Sequence, residues 1–460
     1  MKKQLLILTV AALTMSSCGI YKKYEPVTSV PENLYGTETP DTLYNIGMLG
    51  WHEVFTDPQL QSLIEQGLQS NTDLQSAQWR VKEAEATLKS AKLAFLPSFA
   101  LAPQGTVSSF DKAKATQSYS LPVTASWEVD IFGRLLNAKR QAKALVAQSE
   151  DYRQAVQTQL VASIANTYYT LLMLDEQLLI SEQTEVSWKE AVEATRALMD
   201  AGQSNEAAVS QMEATYYNIC TSILDLKEQI NQVENSMSLL LAETPHAIRR
   251  GNSSQAGTGD RSYGLPEKLS VGIPIQMLAN RPDVRSAERS LEAAFYVTNQ
   301  ARSAFYPSLV LSGSGGWTNA AGSMILNPGK FLATAVGSLT QSLFNKGQNS
   351  AQLRIAKAQQ EEAKLSFEQA LLNAGSEVND ALMQHQTASE KSQLYEKQIV
   401  SLKRAVQSTE LLMQHGSTNY LEVLTARQTL LSAQLTQVAN RFTETQSVVN
   451  LYQALGGGQK

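Results

Sequence analysis

The sequence predicts a mainly α-helical protein with a membrane-type β component, built by duplication of one helix–β-hairpin–helical-hairpin unit. Three observations predict it. First, the two halves of the 460-residue chain echo each other. Gln75-Ser76-Ala77, Ala91 and Ala94-Phe95-Leu96-Pro97-Ser98 return about 210 residues later as Arg285-Ser286-Ala287, Ala301 and Ala304-Phe305-Tyr306-Pro307-Ser308. Thr195, Leu198-Met199, Gly202, Asn205 and Val209 return 214 residues later as Thr409, Leu412-Met413, Gly416, Asn419 and Val423. This period is too long for a solenoid repeat of roughly 20–50 residues. Second, Arg134 to about Asp200 contains no proline or glycine, and Gln348 to Gln414 is interrupted only by Gly375. Third, Tyr119 to Ile131 alternates with the period of a strand.

The elements follow in order. Lys2 and Lys3 precede an apolar run from Leu5 to Leu13, then small residues and Cys18. That is the pattern of an export signal over residues 1–17, too short to span a membrane as a mature helix. Met15-Ser16-Ser17-Cys18 resembles a bacterial lipobox. The resemblance implies cleavage before Cys18, which then carries a diacylglycerol and an N-acyl chain. Gly19, where Asp would favour the inner membrane, points to the outer membrane. Residues 18–56 are read as the lipid-anchored N-terminal segment.

The first repeat is expected over 57–242. Its β-hairpin lies at about 98–132, with 98–110 pairing with 119–131. Tyr119, Leu121, Val123, Ala125, Trp127, Val129 and Ile131 take one face, and Ser120, Pro122, Thr124, Ser126, Glu128 and Asp130 the other, which suits lipid on one side and water on the other. Tyr119, Trp127, Tyr306 and Trp317 are candidates for aromatic girdles. A helix from Arg134 to Asp200 would be ~100 Å long at 1.5 Å per residue. Its apolar stripe, rich in alanine, is read as helix-packing scaffold rather than a cofactor site. Gly202 suits a left-handed C′ position, so a helical hairpin tip falls at about 201–206.

Residues 243–280 form an equatorial linker, Gly/Ser-rich from about Glu243 to Ser262. The second repeat is expected over 281–456. Its β-hairpin lies at about 307–344 and alternates less cleanly, and its hairpin tip lies at about 415–419. Arg281-Pro282-Asp283 reads as a helix start. Residues 457–460 are left as a tail. Four strands cannot close a barrel alone, and open edges are not tolerated in lipid. A membrane role for these strands therefore requires several chains to share one barrel.

Composition removes other classes. A net charge of −5 leaves no basic footprint for nucleic acid. Cys18 and Cys220 are the only cysteines, and Cys220 sits in a helical pattern as a small packed residue. His52, His246, His385 and His415 show no metal-ligand spacing. Asp130, Glu128, Glu213 and the histidines form no recognisable catalytic set.

Several stretches carry a resemblance to a family. Gly264-Leu265-Pro266 runs on to Leu278-Ala279-Asn280-Arg281-Pro282-Asp283-Val284 and Ala287-Glu288. Trp51 accompanies Phe55, Asp57-Pro58-Gln59-Leu60, and Trp127 accompanies Val129-Asp130, Phe132-Gly133-Arg134. Gly416 precedes Tyr420-Leu421 and Val423-Leu424. Over nearly the whole mature chain the sequence resembles the TolC-like outer membrane factor family, in its lipoprotein branch of efflux outer membrane proteins.

The resemblance implies a homotrimer with a twelve-stranded β-barrel in the outer membrane and a long periplasmic α-helical barrel. It implies a periplasmic adaptor protein and an inner-membrane pump as partners, outer membrane lipids as surroundings, and neither catalysis nor a cofactor beyond the lipid on Cys18. By position, Leu421 and Thr425 match the family's entrance rings, with Tyr420 and Glu422 beside them. Thr425 stands where related lipoprotein channels often have Asp. Glu422 either supplies an acidic ring or caps the helix with Asn419. The tips Ala201, Gly202 and Gln203 and His415, Gly416 and Ser417 are candidate adaptor contacts. Two other readings are a channel exporting a protein substrate and a lipid-anchored coiled-coil tether; the tether explains the long helices but not the hairpins or the repeat.

Overall fold

The computed structural model describes residues 23–26, 34, 46–111, 113–251, 279–318, 330–415, 418 and 420–458. Cys18, most of the linker, Gly416, Ser417 and Asn419 lie outside the described residues. The described helices are α1 (Trp51–Val54), α2 (Pro58–Ser70), α3 (Thr72–Leu93), α4 (Arg134–Asp200), α5 (Glu206–Leu240), α6 (Pro282–Ser303), α7 (Gln348–Gln414) and α8 (Tyr420–Ala454). The strands are β1 (Ser98–Leu101), β2 (Gln104–Ser108), β3 (Thr116–Val129), β4 (Ser308–Thr318) and β5 (Lys330–Thr340).

The duplication appears as matched lengths. Helices α3 and α6 each have 22 residues, α4 and α7 each 67, and α5 and α8 each 35. Among the described residues no helix is long and apolar enough to cross a membrane. The chain forms two compact units: Met1–Thr28 with Gln78–Asp151 and Arg285–Ala370, and Ser29–Ala77 with Tyr152–Val284 and Leu371–Lys460. Each unit draws on both sequence repeats.

The first unit holds the sheet. Its order is β1-β3-β4-β5, all antiparallel, with β2 pairing β3 beside β1. The single first strand expected over 98–110 is therefore two. Pro103 has no N–H to give the ladder, so pairing lapses between β1 and β2. Ala102 bridges the gap, donating to the Pro122 carbonyl at 3.1 Å.

Register explains the uneven alternation of the second hairpin. Residues paired directly across strands share a face. Leu121 pairs with Trp317, Val123 with Gly315, Trp127 with Leu311 and Val129 with Leu309. Those partners continue to Phe331, Ala333, Gly337 and Leu339 on β5. The result is one apolar face. The other is a hydroxyl face, where Ser314 and Thr334 meet at 2.7 Å and Thr124 donates to the Ala100 carbonyl at 3.2 Å. Gly316 lies on this face against Leu121 and Pro122, where a Cβ would collide with backbone. Trp127 donates its indole N–H to the Phe95 carbonyl at 2.9 Å, and Trp317 meets Phe331 edge-on at 5.6 Å. Trp317 pairs with Leu121, so the two tryptophans are six residues apart along the ladder, ~20 Å at the rise of a strand. The two tryptophans thus lie toward opposite ends of the apolar face.

The second unit is helical. Asp57 caps α2 by accepting from the Gln59 N–H at 2.8 Å, with Pro58 at the first helical position. The same carboxylate accepts from the buried Tyr168 hydroxyl at 2.5 Å, and that hydroxyl accepts from the Gly251 N–H at 3.1 Å. Gly375 does not break α7. It admits the Leu34 backbone, which any Cβ there would strike.

Candidate functional site

Each long helix pair meets at a turn, and the first turn is fully described. Gly202 has φ 71°. Its N–H donates to the Met199 carbonyl at 2.9 Å, and the Gln203 N–H donates to the Leu198 carbonyl at 2.8 Å. These are the two bonds of a Schellman motif, which demands a left-handed C′ residue. Asn205 then caps α5, accepting from the Ala208 N–H at 2.9 Å. Ala201, Gly202 and Gln203 are exposed. At the second tip His415 is exposed and its N–H donates to the Leu411 carbonyl at 3.1 Å; Gly416 and Ser417 lie outside the described residues.

The four entrance candidates sit in the first turns of α8. Val423 and Leu424 are buried, 7% and 6% exposed. Leu424 joins a core of Trp188, Val192, Met212, Ile219 and Ile223. At about 100° per residue this inward pair turns Glu422 and Thr425 to the opposite side, with Leu421 at its edge. Leu421, Glu422 and Thr425 are exposed accordingly, Leu421 at 44%. Tyr420 is separated from them. It is half-buried, and its hydroxyl meets Gln211 Oε1 on α5 at 3.3 Å. Thr425 spends its hydroxyl on the Leu421 carbonyl at 2.8 Å. Glu422 accepts from the Thr418 hydroxyl. The expected cap through Asn419 lies outside the described residues.

Behind these residues each hairpin is clamped by an ion pair. Arg196 on α4 pairs with Glu213 on α5. Arg427 on α8 pairs with Glu410 on α7, through Nε at 2.8 Å and a terminal nitrogen at 2.5 Å. In both, the partners are 17 residues apart, and each position maps onto its counterpart by the same offset of 214. The polarity is inverted: Arg then Glu in the first hairpin, Glu then Arg in the second. Sequence reasoning missed this pair of pairs and Gln211. The signal was present, because aligning the repeats places opposite charges at both positions of the clamp.

Arg281 is a structural hub. Its side chain is buried and grips Asp283 at 2.9 and 2.5 Å, Glu377 at 2.7 Å and the Ala454 carbonyl at 2.9 Å. Burial opposes its charge, but the bonds and charges of Asp283 and Glu377 prevail and hold the guanidinium above its ordinary range. Burial likewise acts against the Asp283 carboxylate, and Arg281 outweighs it and keeps that carboxyl below the usual range. Cys220 is half-buried, its thiol 3.7 Å from Glu185.

The sequence profile described as outer membrane efflux protein matches residues 63–243 and 273–457, most of the chain. The cation efflux system protein CusC of Escherichia coli is 28% identical over 452 residues, covering 97% of this chain and 98% of CusC. The toluene efflux pump outer membrane protein TtgC of Pseudomonas putida is 28% identical, covering 100% of this chain and 96% of TtgC. A crystal structure of CusC superposes with a TM-score of 0.85 at 28% identity, covering 96% of this chain and 100% of that one. The repeat, the one-faced apolar sheet, the paired helical hairpins and these matches agree that the chain belongs to the outer membrane efflux protein family of TolC-like channels.

Proposed function

We propose that the protein works as a homotrimeric, passive conduit in the outer membrane, through which small solutes leave a tripartite efflux system. The observation that carries this reading is the sheet. Among the described residues it is four strands wide, apolar on one face, hydroxyl-rich on the other, and open along β1/β2 and along β5. Backbone groups at an open edge are costly in lipid. Three copies joined edge to edge satisfy them in a twelve-stranded barrel with hydroxyls facing the lumen. Cys18, as the acylated first residue of the mature chain, anchors each copy.

In this reading Leu421 forms the narrowest ring of the periplasmic entrance and Tyr420 ties it to α5 through Gln211. Glu422 adds an acidic ring a short distance away. Three carboxylates converging on an axis repel one another and favour cations. The tips at Ala201, Gly202 and Gln203 and at His415, Gly416 and Ser417 meet the periplasmic adaptor, which joins the channel to an inner-membrane pump. Energy and cargo choice rest with the pump. Relatives of equal identity support this, since one is named for cations and the other for toluene.

Planar-bilayer conductance of the purified, detergent-extracted protein, with oligomer mass measured on the same sample, tests the reading. Stable trimers with low, cation-selective conductance are expected. A monomer without conductance would overturn it. Leu421→Ser should raise single-channel conductance; an unchanged value removes Leu421 from the constriction.

A further inference from the structure

A cavity of about 470 Å³ opens between the early turns of α4, the middle of α6 and the N-terminal segment. Four cations line it, Lys23, Arg140, Lys143 and Arg289, against one lining acid, Glu292, with Glu288 close enough to act on the Tyr24 hydroxyl. In a chain of net charge −5 this is a marked local excess. Arg289 is shared with Glu292 at 3.1 Å and with Asp151 at 3.9 Å. Asp151 is already held by Arg285 at 2.9 Å. Among the described residues Lys23, Arg140 and Lys143 enter no ion pair. Arg140 is steadied over the Tyr296 ring, 5.9 Å from its centroid. Tyr24, seated edge-on to Phe295 at 5.8 Å, brings a hydroxyl that is buried and has no partner among the described residues. The three unpaired cations that line the cavity repel one another, and the Tyr24 hydroxyl beside them lacks an acceptor, so an anion with several acceptor oxygens relieves both.

The place of the cavity suggests which anion. Helix α4 starts shortly after β3 ends, at Arg134 against Val129. Arg140 and Lys143 are six and nine residues into it, ~9 and ~14 Å along the axis. Helical side chains lean toward the N-terminus, which here is the sheet side. The headgroup layer is roughly 5–8 Å deep on each side of the hydrocarbon. Long basic side chains leaning toward the sheet extend toward that layer. Lys23 is also only five residues beyond Cys18, at most ~18 Å of extended chain. We propose that the cavity binds the phosphate of an anionic phospholipid headgroup, held by Lys23, Arg140 and Lys143 with the Tyr24 hydroxyl as a further donor. The assignment rests on the membrane reading of the sheet, and it adds a specific lipid site to the covalent anchor.

Native mass spectrometry of the full lipidated protein in detergent, titrated with phosphatidylglycerol, phosphatidylethanolamine or inorganic phosphate, tests it. The wild type should retain about one phosphatidylglycerol per chain in preference to phosphatidylethanolamine. At roughly 1 kcal/mol per basic residue near an anionic surface, Lys23→Gln should weaken retention about fivefold and Arg140→Gln/Lys143→Gln about 30-fold. Equal retention of the two lipids, or of phosphatidylglycerol by wild type and Lys23→Gln, would overturn the site. Displacement of phosphatidylglycerol by millimolar phosphate would keep the anion site and overturn its lipid source. Conductance of the same samples separates the two proposals. A variant that conducts normally but loses the lipid supports the site, and a wild type that holds the lipid without conducting overturns only the channel reading.

Discussion

Among single residues, two positions give direct tests. Helix α5 ends as α8 does. The Ala242 N–H donates to Leu239 and the Glu243 N–H to Ser238, just as Gly456 donates to Gln453 and Gly457 to Tyr452. Gly456 has φ 81° and its repeat equivalent Ala242 has φ 56°. A left-handed alanine costs roughly 1–2 kcal/mol that glycine does not. Ala242→Gly should therefore raise the melting temperature, by about 1 kcal/mol of stability once the added freedom of the unfolded chain is counted. The second position is Arg281. Arg281 is buried, whereas Asp283 and Glu377 keep about half their side-chain surface in water, so Arg281→Ala leaves solvated carboxylates and one unpaired buried carbonyl and should cost about 1–3 kcal/mol. Arg281→Lys should not rescue it, because a lysine cannot grip both Asp283 oxygens and Glu377 together. The pH dependence has a definite sign. The folded Asp283 pKa lies below its unfolded value, so its contribution is complete above about pH 4 and is lost as pH falls through the depressed folded value. Melting curves between about pH 7 and about pH 3 should show that acid loss in the wild type and a smaller one in Arg281→Ala.

For the elements, the inverted clamps form a built-in exchange experiment. Glu410→Arg/Arg427→Glu gives the second hairpin the polarity that the first already has. The double variant should retain near-wild-type stability, while Arg427→Glu alone sets two carboxylates together. The coupling should be roughly 0.5–1 kcal/mol, since the pair is partly exposed. A double variant no better than the single would show that the pairs do not clamp. The elements themselves were largely legible. Arg134–Asp200 and Gln348–Gln414 can be read from the absence of breakers, and the Gly202 turn from its glycine. The interruption at Pro103 and the apolar face of β4 and β5 were not. Val310, Leu332 and Val336 fall on the hydroxyl face, and only the register with β3 and between β4 and β5 shows it.

For the molecule as a whole, the proposed membrane role makes assembly a condition of insertion, because the two sheet edges have no partner strand among the described residues. Strand-edge substitutions should therefore act on oligomer mass before they act on conductance. Leu339→Pro in the edge strand β5 removes one backbone donor there. It should lower the fraction of heat-resistant trimer in detergent while leaving the helical circular dichroism of the monomer nearly intact. A trimer fraction equal to wild type would exclude β5 from the shared edge. The entrance variant Leu421→Ser should show the opposite pattern, with trimer unchanged and conductance raised.

What depends on neighbours along the chain can be read from the residues alone: helix lengths, the left-handed turn, the alternation of β3 and the duplication. Backbone hydrogen bonding and steric limits act within a few residues, so local pattern suffices for them. The remaining features come from packing. It placed Tyr420 on Gln211, turned Leu421, Glu422 and Thr425 outward by burying Leu424, made Arg281 a hub for residues up to 173 positions away, and gathered Lys23, Arg140, Lys143 and Arg289 around one cavity. Each of these joins residues far apart in sequence, and their meeting is set by which helix faces pack together.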